Sequence, residues 1–167
     1  MIRCLSIVGL MVGAALGDDD GRLPPVKSEV LKDVTCFVQP KLIVSADQRV
    51  PYKRGHLYFS SREALERYRA TPKAFEAWAN HQLLRTKQYV QGVCPLSGET
   101  PDEDSGVIRV KGVELKLLCP DCAKEISKEP VKDQIDQLFD AEAFELGRYH
   151  PRIVTRSGRA RDETTKR

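Results

Sequence analysis

The spacing of hydrophobic residues changes in the same way twice along the chain. Alternating apolar and polar residues around a short turn predict one β-hairpin over residues 48–60 and another over residues 107–118. After each hairpin, apolar residues recur at the spacing of one face of a helix. These residues are Ala64, Leu65 and Tyr68 after the first hairpin, and Cys122, Ala123 and Ile126 after the second.

Each predicted helix is followed by a proline that suits the first turn of a further helix. The two prolines are Pro72 and Pro130, and Ser60 with Glu63 predicts a capping box at the start of the first helix. The predicted fold class is therefore α+β, with two small repeats that each contain a β-hairpin followed by short helices.

A shift of 58 residues relates the two stretches to each other without a gap. The identical pairs are Cys36 and Cys94, Lys53 and Lys111, Leu57 and Leu115, and Pro72 and Pro130. This correspondence predicts a duplication, with coincidence between two short α+β segments as the alternative. Because units this small bury little apolar surface, we expect them to pack on each other or to be stabilised by a metal or a disulfide.

The beginning of the chain has the pattern of a secretory signal peptide. Residues 1–17 combine the positive Arg3, an apolar run and small residues before three aspartates. The apolar run is too short to span a bilayer, so we expect cleavage, no integral membrane segment, and export to the periplasm or the extracellular space. Residues 18–35 are interpreted as a linker and a first strand.

The overall charge argues against a nucleic-acid partner. Lys and Arg number 27 against 24 Asp and Glu, which gives a net charge of only +3. The excess lies in residues 147–167, which hold seven basic and two acidic residues and lack a sustained apolar face. We therefore predict a basic disordered tail there. With 41% hydrophobic residues, the rest of the chain can form a packed core.

Signal cleavage would remove Cys4 and leave four cysteines, of which three are close to turns in the second stretch. Cys94 begins a turn-like Cys-Pro-Leu-Ser-Gly segment, whereas Cys119 and Cys122 stand where the second hairpin ends and a helix begins. Thiolates are soft ligands for zinc or Cu(I), and a separation of two residues lets both sulfurs of a turn reach one ion. The sequence thus predicts Cys94, Cys119 and Cys122 as metal ligands. Disulfide bonds and inert buried thiols are the alternatives.

The fourth ligand stays open at this point. Cys36 is a candidate because it is the counterpart of Cys94, but a structural or disulfide role fits it better. Asp121, Asp102, a water molecule or a second protein molecule would also serve.

The segment from Val93 to about Phe139 resembles a YHS or TRASH-like domain, a small module of heavy-metal-handling proteins. The resemblance rests on Cys94-Pro-Leu-Ser-Gly, the hairpin, Cys119-Pro-Asp-Cys122-Ala-Lys and the proline eight residues beyond Cys122. Leu117 and Leu118 depart from it, since aromatic residues are common at that strand end. It implies a metal site, with zinc or copper as the ion, in a second unit over residues 93–146.

The resemblance extends more faintly to a first unit over residues 36–85. Tyr58 and Phe59 keep the aromatic strand end there, whereas Ser61 and Ala64 occupy the two cysteine positions. The resemblance therefore implies that the first unit is a degenerate copy kept for structure.

We expect no enzymatic activity. Cys-Pro-Asp-Cys also resembles a thiol-disulfide oxidoreductase motif, but the further strands and the proline-bearing loop of such a fold are missing after it. The histidines are scattered and are predicted to be surface or partly buried residues, and the acidic cluster in the loop before the second hairpin is predicted to be solvated. These residues are His56, His81, His150, Asp102, Glu103 and Asp104.

The expected function is metal sequestration, delivery or sensing, or a metal-stabilised interaction module. The expected partners are a metal ion and a protein, which could be a second copy of this chain. The runner-up is a disulfide-stabilised structural or interaction protein that kept the fold of the module and lost its metal.

Overall fold

Two β-hairpins, each followed by helices, account for most of the described chain. The computed structural model describes residues 21–152. Its first elements are α1 (Ser28–Leu31), β1 (Ser45–Tyr52), β2 (Gly55–Phe59), α2 (Arg62–Ala70), a 3-10 turn (Pro72–Phe75), α3 (Glu76–Arg85) and β3 (Tyr89–Val90). They are followed by β4 (Gly106–Val110), β5 (Val113–Leu117), α4 (Pro120–Ile126), α5 (Val131–Phe139), α6 (Ala141–Leu146) and β6 (His150–Pro151). This mixture of helices and small antiparallel strand pairs agrees with the predicted α+β class.

Both predicted hairpins are confirmed. β1 pairs with β2 so that Val50 lies opposite Leu57, and β4 pairs with β5 so that Ile108 lies opposite Leu115. Leu57 and Leu115 are 0% and 1% exposed, as the alternation of apolar and polar residues requires of an inward face.

The helix after the first hairpin begins one residue later than the predicted capping box. Ser61 rather than Ser60 is the N-cap of α2, and its hydroxyl accepts a hydrogen bond from the N–H of Ala64 at 3.2 Å. The Ser60 hydroxyl donates instead to the side chain of Gln39 at 2.6 Å. The two prolines mark helix starts as predicted, although Pro130 is the N-cap residue of α5 and does not lie in its first turn.

The first strand predicted within residues 18–35 does not form in residues 21–35, the described part of that segment. In the described part of this segment, residues 28–31 form the one-turn helix α1, and Thr35 makes a single β-bridge with Ile43. The predicted signal peptide over residues 1–17 lies outside the described residues.

The predicted disordered tail begins too early. His150 and Pro151 form β6, which pairs with β3, and the hydroxyl of Tyr149 donates to the carbonyl of Leu138 at 3.2 Å. Tyr149 is only 7% exposed, so the chain is held in place at least to this point. Residues 153–167 lie outside the described residues.

Helix α3 lies at the centre of one continuous core. It contacts β2 of the first hairpin and α5 of the second unit. Its buried Asn80 accepts a hydrogen bond from the hydroxyl of Tyr52 and donates one to the carbonyl of Phe139, both at 2.9 Å. The two segments that each contain a hairpin and its following helices therefore share one core, which suits their small individual size. No helix in residues 21–152 has the length and apolar character needed to cross a membrane.

Glutamine side chains pair with the strand edges that no other strand covers. The amide of Gln82 accepts from the N–H of Tyr58 at 2.8 Å and donates to its carbonyl at 2.9 Å, in the buried core. Gln91 makes the same pair of bonds with Lys116, at 2.9 Å and 2.6 Å, in an exposed position. These amides satisfy backbone groups that an edge strand would otherwise leave unpaired.

Replacing Gln82 by alanine is expected to lower the free energy of unfolding by about 2 kcal/mol, because it leaves a buried N–H and a buried carbonyl without partners. Urea denaturation followed by circular dichroism measures the change. The matched control is Gln91→Ala, where water can replace the lost amide and the cost should stay below about 0.5 kcal/mol. Equal costs for the two variants would contradict this account.

Candidate metal centre

Cys94 stands at the start of a tight loop that we call the Cys94 loop, residues 94–98. The N–H of Cys94 donates to the carbonyl of Glu99 at 2.8 Å, and its carbonyl accepts from the N–H of Gly98 at 2.9 Å. Gly98 has a φ of 71°, a left-handed conformation that glycine adopts without strain. The loop closes over Cys94, which is 2% exposed.

The pKa of Cys94 is set by its burial and by neighbouring hydrogen-bond donors. Burial alone would raise the pKa of this thiol, but donors from the backbone of Leu118, the hydroxyl of Ser97 and the backbone of Leu96 and Ser97 lower it below its ordinary value. Leu118 directly precedes Cys119 in the chain. The Cys94 loop therefore lies next to the segment that carries the other two cysteines.

Cys119 is the N-cap residue of α4 and begins what we call the Cys119 loop, residues 119–122. Its sulfur accepts a hydrogen bond from the N–H of Cys122 at 3.1 Å. The thiol of Cys122 and then its N–H lower the pKa of Cys119, which is exposed, while the pKa of Cys122 is raised because its proton is held in that hydrogen bond. The Cys119 sulfur is thus the one that most readily becomes a thiolate in this pair.

The two cysteine loops are built alike. Each has the sequence Cys-Pro-x followed by Ser97 or Cys122, and in each the backbone of the third and fourth residues and the side chain of the fourth lower the pKa of the first cysteine. The charge of Cys94 also contributes to the raised pKa of Cys122, so the two loops lie within electrostatic reach of each other.

The donor set of the two loops suits a thiophilic ion. Three sulfurs, two of them supported by N–H groups, are the kind of ligands that zinc and Cu(I) take. Within residues 21–152 no three side chains of His, Cys, Asp or Glu stand close enough together to hold one ion as they are. The assignment of Cys94, Cys119 and Cys122 as metal ligands therefore stays a prediction. All three are thiols in the structure, and so is Cys36.

Cys36 lies in a different environment from the other three. It is 0% exposed, its N–H donates to the carbonyl of Leu42 at 2.8 Å, and it lines a small cavity together with Trp78 and His81. Neither cysteine loop contributes to that cavity. These surroundings suit the structural role that sequence analysis preferred for Cys36. A role of Cys36 as a metal ligand stays a prediction.

The other polar candidates are separated from one another. His81 is 6% exposed, more buried than predicted, and its Nε2 lies 3.0 Å from the carbonyl of Val110. Burial lowers the pKa of His81 to about 4. His150 is exposed and Asp102, whose carboxylate accepts from the Ser105 hydroxyl at 2.9 Å, lies in an exposed loop as expected.

Sequence analysis overlooked Ser97, whose hydroxyl is one of the groups that lower the pKa of Cys94. Its position was interpreted only as part of a turn. A signal was present, because Ser97 follows Cys94 at the same spacing at which Cys122 follows Cys119, with a proline in the second place of both segments.

Comparison with known proteins adds no further information on this site: no protein-family model matches the chain, and no curated protein and no solved structure is detectably similar to it.

Proposed function

We propose that the chain binds one thiophilic ion, zinc or copper, through Cys94, Cys119 and Cys122. The observation that carries this proposal is the hydrogen bond from the N–H of Cys122 to the sulfur of Cys119 at 3.1 Å, and the lowered pKa of both Cys94 and Cys119 agrees with it. Metal binding requires a deprotonated thiol, and N–H donors around a sulfur favour that form. The same donors orient a ligand and support it once an ion is bound.

We also propose that the two units arose by duplication, and hydrogen bonds at a spacing of 58 residues support this. The cap bond from Ala64 to Ser61 has its counterpart in the bond from Cys122 to Cys119. The bond from the N–H of Thr71 to the carbonyl of Tyr68 corresponds in the same way to the bond from Glu129 to Ile126, both closing the end of the helix after the hairpin.

The positions of the two hairpin turns support the same proposal. Lys53 and Lys111, the first turn residues of the two hairpins, both have positive φ angles, of 50° and 40°. Two-residue hairpin turns require a positive φ at this position, so the angles follow from the equal turn lengths, and what recurs at a spacing of 58 residues is the turn itself with a lysine at its first position. The strand pair of β3 and β6 follows the last helix of each unit and joins their ends.

The biological use that we propose is metal sequestration, delivery or sensing outside the cytoplasm, or a metal-stabilised interaction module. The resemblance of the second unit to a YHS or TRASH-like domain favours the handling of heavy metals. In the first unit, Ser61 and Ala64 stand where the second has cysteines, so we propose a structural role for it without a metal.

A second candidate is thiol chemistry at Cys119 without a metal. It is favoured by the exposure of Cys119 and by its lowered pKa, caused first by the thiol of Cys122 and then by the N–H of Cys122. The pair could then form a disulfide that stabilises an interaction protein, or, as the weaker reading, react as an oxidoreductase.

The test is elemental analysis combined with a count of free thiols, on protein purified without chelator and under nitrogen. We expect about one zinc or copper per chain in the wild type, and none in Cys119→Ser. Cys36→Ser is the matched control, because it also removes a thiol but leaves both cysteine loops intact, and it should keep its metal. Far-UV circular dichroism checks that each variant is folded.

Three other outcomes each have a definite meaning. Loss of the metal in Cys36→Ser but not in Cys119→Ser would identify Cys36 as a ligand. Absence of both metal and free thiols in the wild type would favour the disulfide-stabilised protein. Absence of metal with a reactive Cys119 would favour redox chemistry.

A further inference from the structure

We propose that the cavity beside Cys36 binds a small carboxylate, with Arg85 and Lys111 holding the anionic group and Trp78 contacting the apolar end. The cavity has a volume of about 60 Å³, which holds about four to six water-sized groups. A carboxylate with a short aliphatic chain, such as propionate, has this size. Neither cysteine loop lines the cavity, so the inference does not depend on the proposed metal site.

Three segments of the chain meet at this cavity. Residues between 33 and 40, which precede the first hairpin, form one part of the lining. Helix α3 contributes Trp78 and Arg85, and the turn of the second hairpin contributes Lys111. Ligand sites are common where separate parts of a fold meet, and a ligand here would contact both hairpin-containing segments.

Contacts with two other segments hold the guanidinium of Arg85 in place. Its Nη2 donates to the main-chain carbonyl of Asp33 at 3.1 Å. The same group passes closely over Gly112, where an added Cβ would lie only 2.8 Å from Nε of Arg85. The hydrogen bond to Asp33 uses one N–H of the guanidinium, so the others keep their capacity to bind a carboxylate.

The charges that line the cavity favour an anion. Arg85 and Lys111 form no ion pair with a carboxylate in the described part of the chain. Asp33 is the single acidic residue among the described lining residues, and Arg85 contacts its carbonyl, not its carboxylate. His81 is neutral at pH 7, because burial lowers its pKa to about 4. Two positive side chains thus stand against one negative side chain, which leaves the lining net positive.

The rest of the lining suits a carboxylate better than an inorganic anion. Most of the remaining residues are apolar, namely Val34, Cys36, Phe37, Pro40 and Trp78. Phosphate and sulfate carry acceptor oxygens on every side, and burying these oxygens against apolar groups costs free energy. A short carboxylate directs both of its oxygens to the cations, and its alkyl chain gains free energy from contact with the apolar residues.

Trp78 can report binding directly, because it is the only tryptophan of the chain. The full chain is titrated with sodium propionate at neutral pH and constant ionic strength, and tryptophan fluorescence and the NMR signal of the Trp78 indole N–H are followed. Because so small a ligand makes few contacts, we expect a Kd of about 1 mM. Propionamide, which has nearly the same shape but no charge, should bind at least about tenfold more weakly, since hydrogen bonds to charged groups are the stronger ones.

Three variants test the two cations. Arg85→Gln should raise the Kd of propionate by about 10- to 100-fold, and Lys111→Asn by about fivefold, because Lys111 is exposed and its charge is partly screened. Lys87→Asn is the matched control and should bind as the wild type does. Lys87 is likewise an exposed lysine with a positive φ, of 59° against 40° for Lys111, but it does not line the cavity. Asparagine tolerates this conformation, and far-UV circular dichroism checks that each variant is folded.

Several results would overturn the inference. Equal affinity for propionate and propionamide, or equal binding by Lys111→Asn, Arg85→Gln and the wild type, would show that the two cations do not select the ligand. Tighter binding of inorganic phosphate than of propionate would identify a site for inorganic anions instead. No change in either signal of Trp78 up to about 100 mM propionate would mean that the cavity takes no carboxylate. Cys119→Ser should bind propionate as the wild type does, so a failure of the proposed metal site would leave this result unchanged.

Discussion

Replacing Phe139 by alanine is expected to lower the free energy of unfolding by about 3 to 5 kcal/mol, the largest effect that we predict for one substitution. The side chain is 0% exposed at the end of α5. Its ring lies edge-on to that of His81 with a centroid distance of 5.0 Å, and stacks on that of Tyr149 at 6.2 Å. Alanine would leave a cavity between α3, α5 and the segment before β6. Urea denaturation followed by circular dichroism and by tryptophan fluorescence measures the loss.

Val131→Ala is the matched control for this substitution. Val131 lies in the same helix but is 44% exposed, so its truncation should cost less than about 0.5 kcal/mol. We also expect one cooperative transition in the wild type, with coincident curves from the two probes, because Asn80 joins α3 to the last residue of α5. Two separate transitions, or a cost below about 1 kcal/mol for Phe139→Ala, would contradict a core shared by both units.

Sequence analysis correctly predicted the elements in which buried and exposed residues follow a regular period over several positions. In β5, Val113, Leu115 and Leu117 alternate with exposed residues, and this alternation is visible in the sequence. By contrast, β3 and β6 have two residues each, too few to show any period. Their pairing depends on a fold that brings the ends of the two units together. The basic composition of the segment around β6 pointed to a disordered tail instead.

The N-cap of α2 shows a choice that local sequence does not decide. Ser60 and Ser61 are adjacent, and both are good capping residues. In the structure the Ser61 hydroxyl accepts from the N–H of Ala64, while the Ser60 hydroxyl donates to the side-chain oxygen of Gln39 at 2.6 Å. Ser60 thus has a partner in another segment of the chain, which no pattern around the helix start contains.

For the candidate site, spacing predicted which loops carry the cysteines but not what surrounds each sulfur. The positions of Cys119 and Cys122 at the start of a helix follow from the end of the hairpin pattern. That the backbone of Leu118 lowers the pKa of Cys94 depends on how the Cys94 loop packs near the strand end, which no local pattern contains.

Lowering the pH from 7 to 4 is expected to destabilise the protein through His81 by about 3 kcal/mol. Burial, and to a smaller extent the charges of Lys111 and Arg85, lower the pKa of His81 to about 4, while the hydrogen bond to the carbonyl of Val110 partly opposes this. In the unfolded chain the pKa of a histidine is about 6.5. Between these two values the unfolded state binds a proton that the folded state does not, so stability is present above about pH 6.5 and is lost as the pH falls towards 4.

His81→Gln tests this assignment, because a glutamine amide can still donate to the carbonyl of Val110 but does not titrate. Urea denaturation at a series of pH values should show that the wild type loses about 3 kcal/mol more than the variant between pH 7 and pH 4. The carboxylates contribute to both proteins and cancel in this comparison. His150→Gln, at an exposed position, should keep the pH dependence of the wild type. If the free energy of unfolding of His81→Gln depends on pH in the same way as that of the wild type, His81 takes up its proton in the folded state as readily as in the unfolded chain. The His81 ring would then not be buried between α3, α5 and the second hairpin.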